Sequence, residues 1–345
     1  MNADILNEEA RMDTIIHTTE ALDAQVGARP PVADLKVIDH LDAHALRWLA
    51  ASPLAFIGFS DLQGIDATLA GGAPGFAASL DAERLYLPRG LLDHPGQALP
   101  GRGAGMLFLV PGLSETLRVN GVVALVDERN IVIEVQECYA HCAKALLRSS
   151  FWQPQADPVF GSMADFIAAC RFMALATADA ELRTDISPKG DPAGMLVQGD
   201  EHGIRFADRP GNRRTDSFRN MLSRPSAASI LMVPGSTQVA IVQGKVQLDS
   251  DPQLRQAFTV QDKTPKLVVN LATSSMTLHE SAALARATPW SAPVPPADID
   301  PAEIFAAHIR LNKTRGLWAA LAKGSVAIPG LMRKGLQQDY KRNMY

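Results

Sequence analysis

Cysteine is scarce in this 345-residue chain: Cys138, Cys142 and Cys170 are the whole set. An odd, sparse set suits a reducing cytoplasm better than a disulfide framework. Long apolar runs are also missing, since no stretch approaches the roughly 18 residues of a membrane span. The opening segment carries Asp4, Glu8 and Glu9, unlike a secretory signal. A cytoplasmic protein with no membrane partner is therefore expected. Positive charge is not in excess: the net charge is −4 and the pI near 6.1, which argues against a nucleic-acid partner. The glycine-rich dinucleotide and phosphate-loop patterns are absent, as is the GxSxG elbow, so those enzyme classes lack support. What remains is an ordinary globular composition, 47% hydrophobic and 20% charged, with length for about two domains.

What the chain does contain is its own echo. Leu109-Val110-Pro111-Gly112 returns as Met232-Val233-Pro234-Gly235, and Asn120-Gly121 as Gln243-Gly244, at one spacing. Asp66-Ala67-Thr68 with Gly71 and Gly75 returns as Asp185-Ile186-Ser187 with Gly190 and Gly194. His141, Leu146, Arg148 and Trp152 return as His279, Leu284, Arg286 and Trp290. Landmarks in one order with slowly drifting offsets indicate two copies of one domain.

Residues 1–41 read as a polar lead-in, helical around Asn7 to Asp23. The first repeat spans 42–152. Its short apolar segments Leu54–Phe59, Arg84–Leu87, Gly105–Val110, Thr116–Val126 and Asn130–Gln136, cut by turn residues, read as strands. Helical spacing follows from Ala140 to Trp152. The second repeat, 163–290, opens with a helix (Met163–Arg171) and continues with strands Phe172–Thr177, Gly194–Gln198, Gly203–Ala207, Ala227–Val233, Thr237–Leu248 and Lys266–Ala272. Many short strands with few helices predict a mainly β fold with helices, one small antiparallel barrel per half. A proline-rich linker leads to a helical basic tail at 301–345, read either as a clamp on an anionic partner or as a solvated helix covering the barrels.

Four clusters carry candidate chemistry. Gly211-Asn212-Arg213-Arg214-Thr215-Asp216-Ser217-Phe218-Arg219-Asn220 follows a predicted strand and opens a helix. Arginines, a hydroxyl and helix N-terminal amides suit a phosphate; an exposed helix start with incidental arginines is the alternative. Thr116, Arg118 and Asn120 alternate onto one strand face, lining either a polar cavity or a solvated surface. His141, Lys144 and Arg148 converge if the segment is helical, which suits an anion or an electron-rich ring. No metal is expected there, because Cys138, Cys142 and His141 lack a fourth ligand and a helical register leaves His141 off the face of the two cysteines. Thr184-Asp185-Ile186-Ser187-Pro188-Lys189-Gly190-Asp191 offers Ser187 and Lys189 as donors to a ring edge, or is a plain hairpin turn.

Together these segments resemble the FMN-binding split β-barrel family related to pyridoxamine 5′-phosphate oxidase, closest to its subgroup of FMN-dependent enzymes without an assigned substrate. That subgroup's single domain carries a TDxSPxGDPxG turn, a GNRRxDSxRN segment, a PGxxETLRVNG strand and an HCxKAxxRSxxW end. Here the second repeat has the first two, at Thr184–Gly194 and Gly211–Asn220. The first repeat has the last two, at Pro111–Gly121 and His141–Trp152. The losses are complementary: Leu91–Gly103 has no Arg-Arg pair, and Ile241, Gln243, Glu280 and Ala282 replace Arg118, Asn120, Cys142 and Lys144.

Members of the family are usually homodimers with FMN at the interface, so the resemblance implies an intrachain pseudo-dimer with one composite FMN site; further assembly stays open. It implies that Arg213, Arg214 and Ser217 hold the phosphate, with Arg219 supporting. Ser187 and Lys189 would face the isoalloxazine edge. Arg118 and Asn120 would reach in from the strand, and Lys144, Arg148, Ser149 and Trp152 from the following helix. His141 and Lys189 are the catalytic candidates, although His279 persists in the other half, which favours packing or capping for the histidine. An oxidoreductase acting on a small-molecule substrate, or on an electron donor such as NAD(P)H, is the first expectation. A non-catalytic flavin store, carrier or redox sensor is the second. A tetrapyrrole ligated by His141 or His279 is the third, disfavoured by the phosphate segment.

Overall fold

The computed structural model describes residues 14–156, 158–211, 214–291, 294–326 and 330–345. After a short strand β1 (Ile15–Ile16) and a helix (Thr19–Val26), strands β2 (Leu54–Ser60), β3 (Ile65–Gly71), β4 (Ala78–Ser79), β5 (Arg84–Pro88), β6 (Gly103–Leu109), β7 (Thr116–Val126) and β8 (Asn130–His141) form one antiparallel sheet. A second sheet comprises β9 (Phe172–Ala178), β10 (Thr184–Gly190), β11 (Gln198–Asp200), β12 (Gly203–Ala207), β13 (Ser226–Met232), β14 (Gln238–Asp249) and β15 (Val268–Glu280). The order is β3-β2-β6-β7-β8-β5-β4 in the first and β10-β9-β13-β14-β15-β12-β11 in the second, one pattern used twice, with β1 added beside β14. Both long central hairpins carry a register shift at the same landmark, Asn120/Gly121 and Gln243/Gly244. Such bulges bend a strand and increase its twist. The fold is mainly β with helices.

Alternation along the strands explains how the halves join. Ala55, Ile57 and Phe59 of β2 face the first half's own core, while Leu54 and Phe56 face a third core. In β9, Met173 and Leu175 face the second half's core, while Phe172, Ala174 and Ala176 face that same third core. Successive strand residues point to opposite faces, so strands buried on both sides read as continuous apolar runs. The shared core is where the two sheets meet, with the Phe56 and Phe172 rings 5.3 Å apart.

The glycines at this seam are structural. A Cβ on Gly190 would lie 1.9 Å from the Ala145 carbonyl oxygen, and one on Gly71 would lie 2.3 Å from that of Ala283. Each half thus presses the helix at its end, Lys144–Arg148 or Ala282–Ala287, onto the other half's edge strand.

Several local expectations need correction. Residues 15–16 pair with Leu248 and Asp249, and the lead-in helix runs Thr19–Val26; the predicted start of that helix, before residue 14, lies outside the described residues. Residues 140–141 continue β8, so the helical segment is only Lys144–Arg148. Thr184–Gly190 is an edge strand paired with β9, where Pro188 is tolerated because no second neighbour needs its amide. Helices Pro301–Leu311, Leu317–Val326 and Leu331–Arg342 make up the tail. No helix among the described residues is long and apolar enough to cross a membrane.

Candidate functional site

Strand alternation makes Thr116, Arg118 and Asn120 of β7 share a face, and all three are buried. A buried guanidinium requires partners. Arg118, 1% exposed, donates to the Tyr139 hydroxyl (2.7 Å) and reaches across to β10, where it meets Ser187 Oγ (2.9 Å) and Asp185 Oδ1 (2.8 Å). Ser217 Oγ in turn lies 3.0 Å from Ser187 Oγ. One hydrogen-bonded chain therefore links β7 of the first half to β10 and the helix Asp216–Ser223 of the second.

That helix begins after Thr215, whose left-handed backbone (φ 57°) turns the chain so that Asp216, Ser217 and Phe218 open onto a cavity. Arg214 is held by Asp216 (2.5 Å) and Asp34 (3.0 Å), with its guanidinium 4.6 Å from the Tyr139 ring centre. From the other side, Arg148 Nε donates to the Gly190 carbonyl (3.0 Å), and Arg209 Nε donates to Asp191 Oδ2 (2.6 Å).

The cavity so bounded has a volume of about 530 Å³. That is within the range of roughly 300–1,000 Å³ of small-molecule sites. Arg118, His141, Lys144 and Arg148 line it from the first half, and Ser187, Lys189, Arg214 and Ser217 from the second. Eight Lys/Arg side chains face four Asp side chains there, so the lining favours an anion. Arg118 Nε and Arg209 Nη2 are buried with no hydrogen-bond partner among the described residues. Unmet donors of this kind mark a site that fits a polyanionic ligand.

Burial also tunes the titrating groups. Lys189 is half-buried with its Nζ 4.8 Å from the centre of the Phe218 ring; loss of water lowers its pKa, against the opposing pull of Asp208. His141 is pulled well below the usual histidine range, first by burial and then by Arg118 and Lys36, so it is neutral at pH 7.

The remaining expected residues sit elsewhere. Asn120 donates to Glu137 (2.8 Å), Ser149 to the Leu146 carbonyl (3.0 Å), and Trp152 Nε1 to the Leu113 carbonyl (2.6 Å). Arg219 points away to Asp23 (2.6 Å). None of these four lines the cavity. Arg213 lies outside the described residues. His141 ends β8 opposite Thr116, so it joins Lys144 and Arg148 at the cavity through a strand end, not along one helix. Sequence reasoning missed Arg209, Asp208, Lys263 and Lys266, and three tail residues, Asp339, Asn343 and Tyr345, all of which line it. The run Asp208-Arg209-Pro210 directly precedes the arginine segment and was the available signal.

The related positions in the other half are filled differently. Arg286 donates to the Gly71 and Leu91 carbonyls, both at 2.9 Å, as Arg148 does to Gly190 and Pro210. Asp93 accepts from Ser281 Oγ (2.5 Å) and the Ala283 amide (2.7 Å). Gln243 donates to Asp66 (2.8 Å), which also pairs with Arg102 (2.7 Å). His94 and His279 meet edge to face, with ring centres 5.2 Å apart.

These geometries sit on a matched family segment. Residues 161–288 match the pyridoxamine 5′-phosphate oxidase family. The match spans the second sheet and its end helix, including Ser187, Lys189, Arg214 and Ser217. Among solved structures, HupZ of Group A Streptococcus is similar at 14% identity (36% of this chain, 98% of that one, TM-score 0.30). A putative pyridoxamine 5′-phosphate oxidase from Lactobacillus delbrueckii is similar at 17% identity (34% and 93%, TM-score 0.28). General Stress Protein 26 of Bacillus anthracis is similar at 12% identity (33% and 88%, TM-score 0.27). No curated protein matches the sequence.

Proposed function

We propose that the chain is an FMN-binding flavoprotein, an oxidoreductase whose halves form an intrachain pseudo-dimer with one composite flavin site. The observation that carries this reading is a cavity lined jointly by Arg118, Lys144 and Arg148 from one half and Ser187, Lys189, Arg214 and Ser217 from the other. The repeated strand order supports descent of the two halves from one domain.

Bound FMN supplies hydride or single-electron transfer. The protein's part is to bind, orient and set charge. Arg214, with Ser217 and the first amides of the helix Asp216–Ser223, would hold the phosphate, joined by Arg213. Arg118 donates to Ser187 Oγ at 2.9 Å, which fixes that side chain; Ser187 would face the ring. Lys189 would place positive charge beside the ring, where reduction develops negative charge. His141, neutral at pH 7, can offer a ring nitrogen as a hydrogen-bond acceptor. The substrate is a small molecule or an electron donor such as NAD(P)H.

The test is flavin content. Protein purified and reconstituted with FMN is expected to retain it, and Arg214→Ala is expected to lose it. Equal retention by the variant would remove Arg214 from the site. Bleaching of the flavin absorbance by NADH or NADPH would mark an oxidoreductase; a flavin that only photoreduces would favour the carrier or sensor.

A further inference from the structure

We infer that the segment Leu331–Tyr345 is a wall of the ligand site and that its docking governs how fast a ligand leaves. This rests on the cavity being the flavin site. The helix Leu331–Arg342 holds four basic residues and one acid, Asp339. It is the acid that reaches the cavity: Asp339 Oδ2 lies 2.8 Å from Nζ of Lys144, whose side chain is 2% exposed. The adjacent Tyr340 hydroxyl accepts from the Ala143 amide at 3.3 Å. Past the helix, the Met344 carbonyl accepts from Arg148 Nη1 at 2.7 Å. The Tyr345 ring centre lies 5.8 Å from the Arg148 guanidinium and 5.6 Å from that of Arg209.

A helix that only covered a barrel would hold on through apolar side chains, as Met332 and Leu336 do against the first half's core. The polar contacts are additional, and they fall on the cavity's own cations. Asp339, Asn343 and Tyr345 are themselves part of the lining. Undocking would break the Lys144–Asp339 ion pair and the Arg148 bond to the Met344 carbonyl, both charge-assisted, so the closed arrangement is favoured. A ligand beneath it leaves only when the wall opens.

Cys142 makes this testable without any flavin. It lines the cavity beside Ala143 and is half-buried, whereas Cys138 and Cys170 are fully buried. The alkylation rate of Cys142 by iodoacetamide, a neutral reagent, would be measured in wild type, Asp339→Lys and Tyr345→Ala, and FMN release would be followed by dilution. Asp339→Lys is expected to raise both rates about tenfold or more, and Tyr345→Ala several-fold; if Asp339→Lys fails to fold, Asp339→Asn is expected to give a smaller rise. Unchanged alkylation overturns the wall, whether or not FMN is bound. Faster alkylation with unchanged FMN release overturns its control of the ligand. Faster alkylation in a protein that never binds FMN leaves the wall standing and sinks the flavin reading instead.

Discussion

The two ends of the seam between the halves follow one plan and differ in what occupies it. At one end, Arg148 crosses to Gly190 and Pro210, and around it stand Arg118, Lys144, Lys189, Arg209 and Arg214 with more positive charge than the carboxylates offset. At the other, Arg286 crosses in the same way to Gly71 and Leu91, but Asp93 already accepts from a helix amide and Ser281, while Asp66 takes Arg102 and Gln243. At the first end the cations outnumber the carboxylates; at the other, Asp66 and Asp93 are already engaged by side chains and an amide of the two halves. The difference teaches that shared backbone architecture fixes where a site can form, and that side-chain accounting decides whether a ligand is called for.

The largest effect expected in breaking this comparison is on ligand affinity. Arg214→Ala removes a buried charge from the cation-rich end and should weaken FMN binding by about 2–5 kcal/mol, roughly 30-fold to several thousand-fold. Arg102→Ala, at the other end, should leave FMN affinity unchanged while lowering stability; titration of both variants with FMN checks this.

A matched pair of glycine substitutions sharpens it further. Gly190→Ala and Gly71→Ala each drive a methyl into a carbonyl oxygen across the seam. Each should cost about 1–3 kcal/mol of stability by overpacking. Only Gly190→Ala should also lower FMN affinity, since Gly190 lines the cavity. Thermal melts and FMN titrations on both proteins separate the two effects.

A smaller effect comes from the arginines that cross the seam. Arg286→Ala should cost about 1 kcal/mol, because its carbonyl bonds are made by an exposed side chain. Arg148→Ala should cost at least as much and should also speed FMN release. Chemical denaturation gives the stability terms, and a loss of FMN in Arg286→Ala would contradict the distinction.

The smallest is a pH term from His141. Its folded-state pKa lies well below the unfolded value near 6.5, so the unfolded chain binds the proton first. Wild type should therefore lose stability as pH falls below about 6.5, and His141→Gln should show a shallower loss over the same window. Identical pH profiles would mean that the histidine is not buried neutral.

Much of this was legible in the residues. The strand cores of β2, β6, β7, β12, β13 and β14 are apolar segments cut by turn residues, and the paired landmarks foretold one strand order used twice. Arg118, Ser187, Lys189, Arg214 and Ser217, drawn from three separate clusters of the sequence, line one cavity. What failed did so for local reasons. Thr184–Gly190 hid its strand because an edge position tolerates Pro188 and Gly190, which a central strand would not. His141 was placed on a helix because a bulged strand and a helix both bring spaced residues together over a short run. Asn120 and Trp152 were carried in with motifs whose side chains serve the fold, bonding Glu137 and the Leu113 carbonyl. The tail's entry was illegible because its basic composition masked the one acid, Asp339, that reaches Lys144.

The most direct measurement is the absorption spectrum of the purified, FMN-reconstituted protein, with released flavin quantified per chain. The account predicts flavin bands and about one FMN per chain, lost in Arg214→Ala. Two FMN per chain, or a Soret band in place of flavin bands, would contradict it.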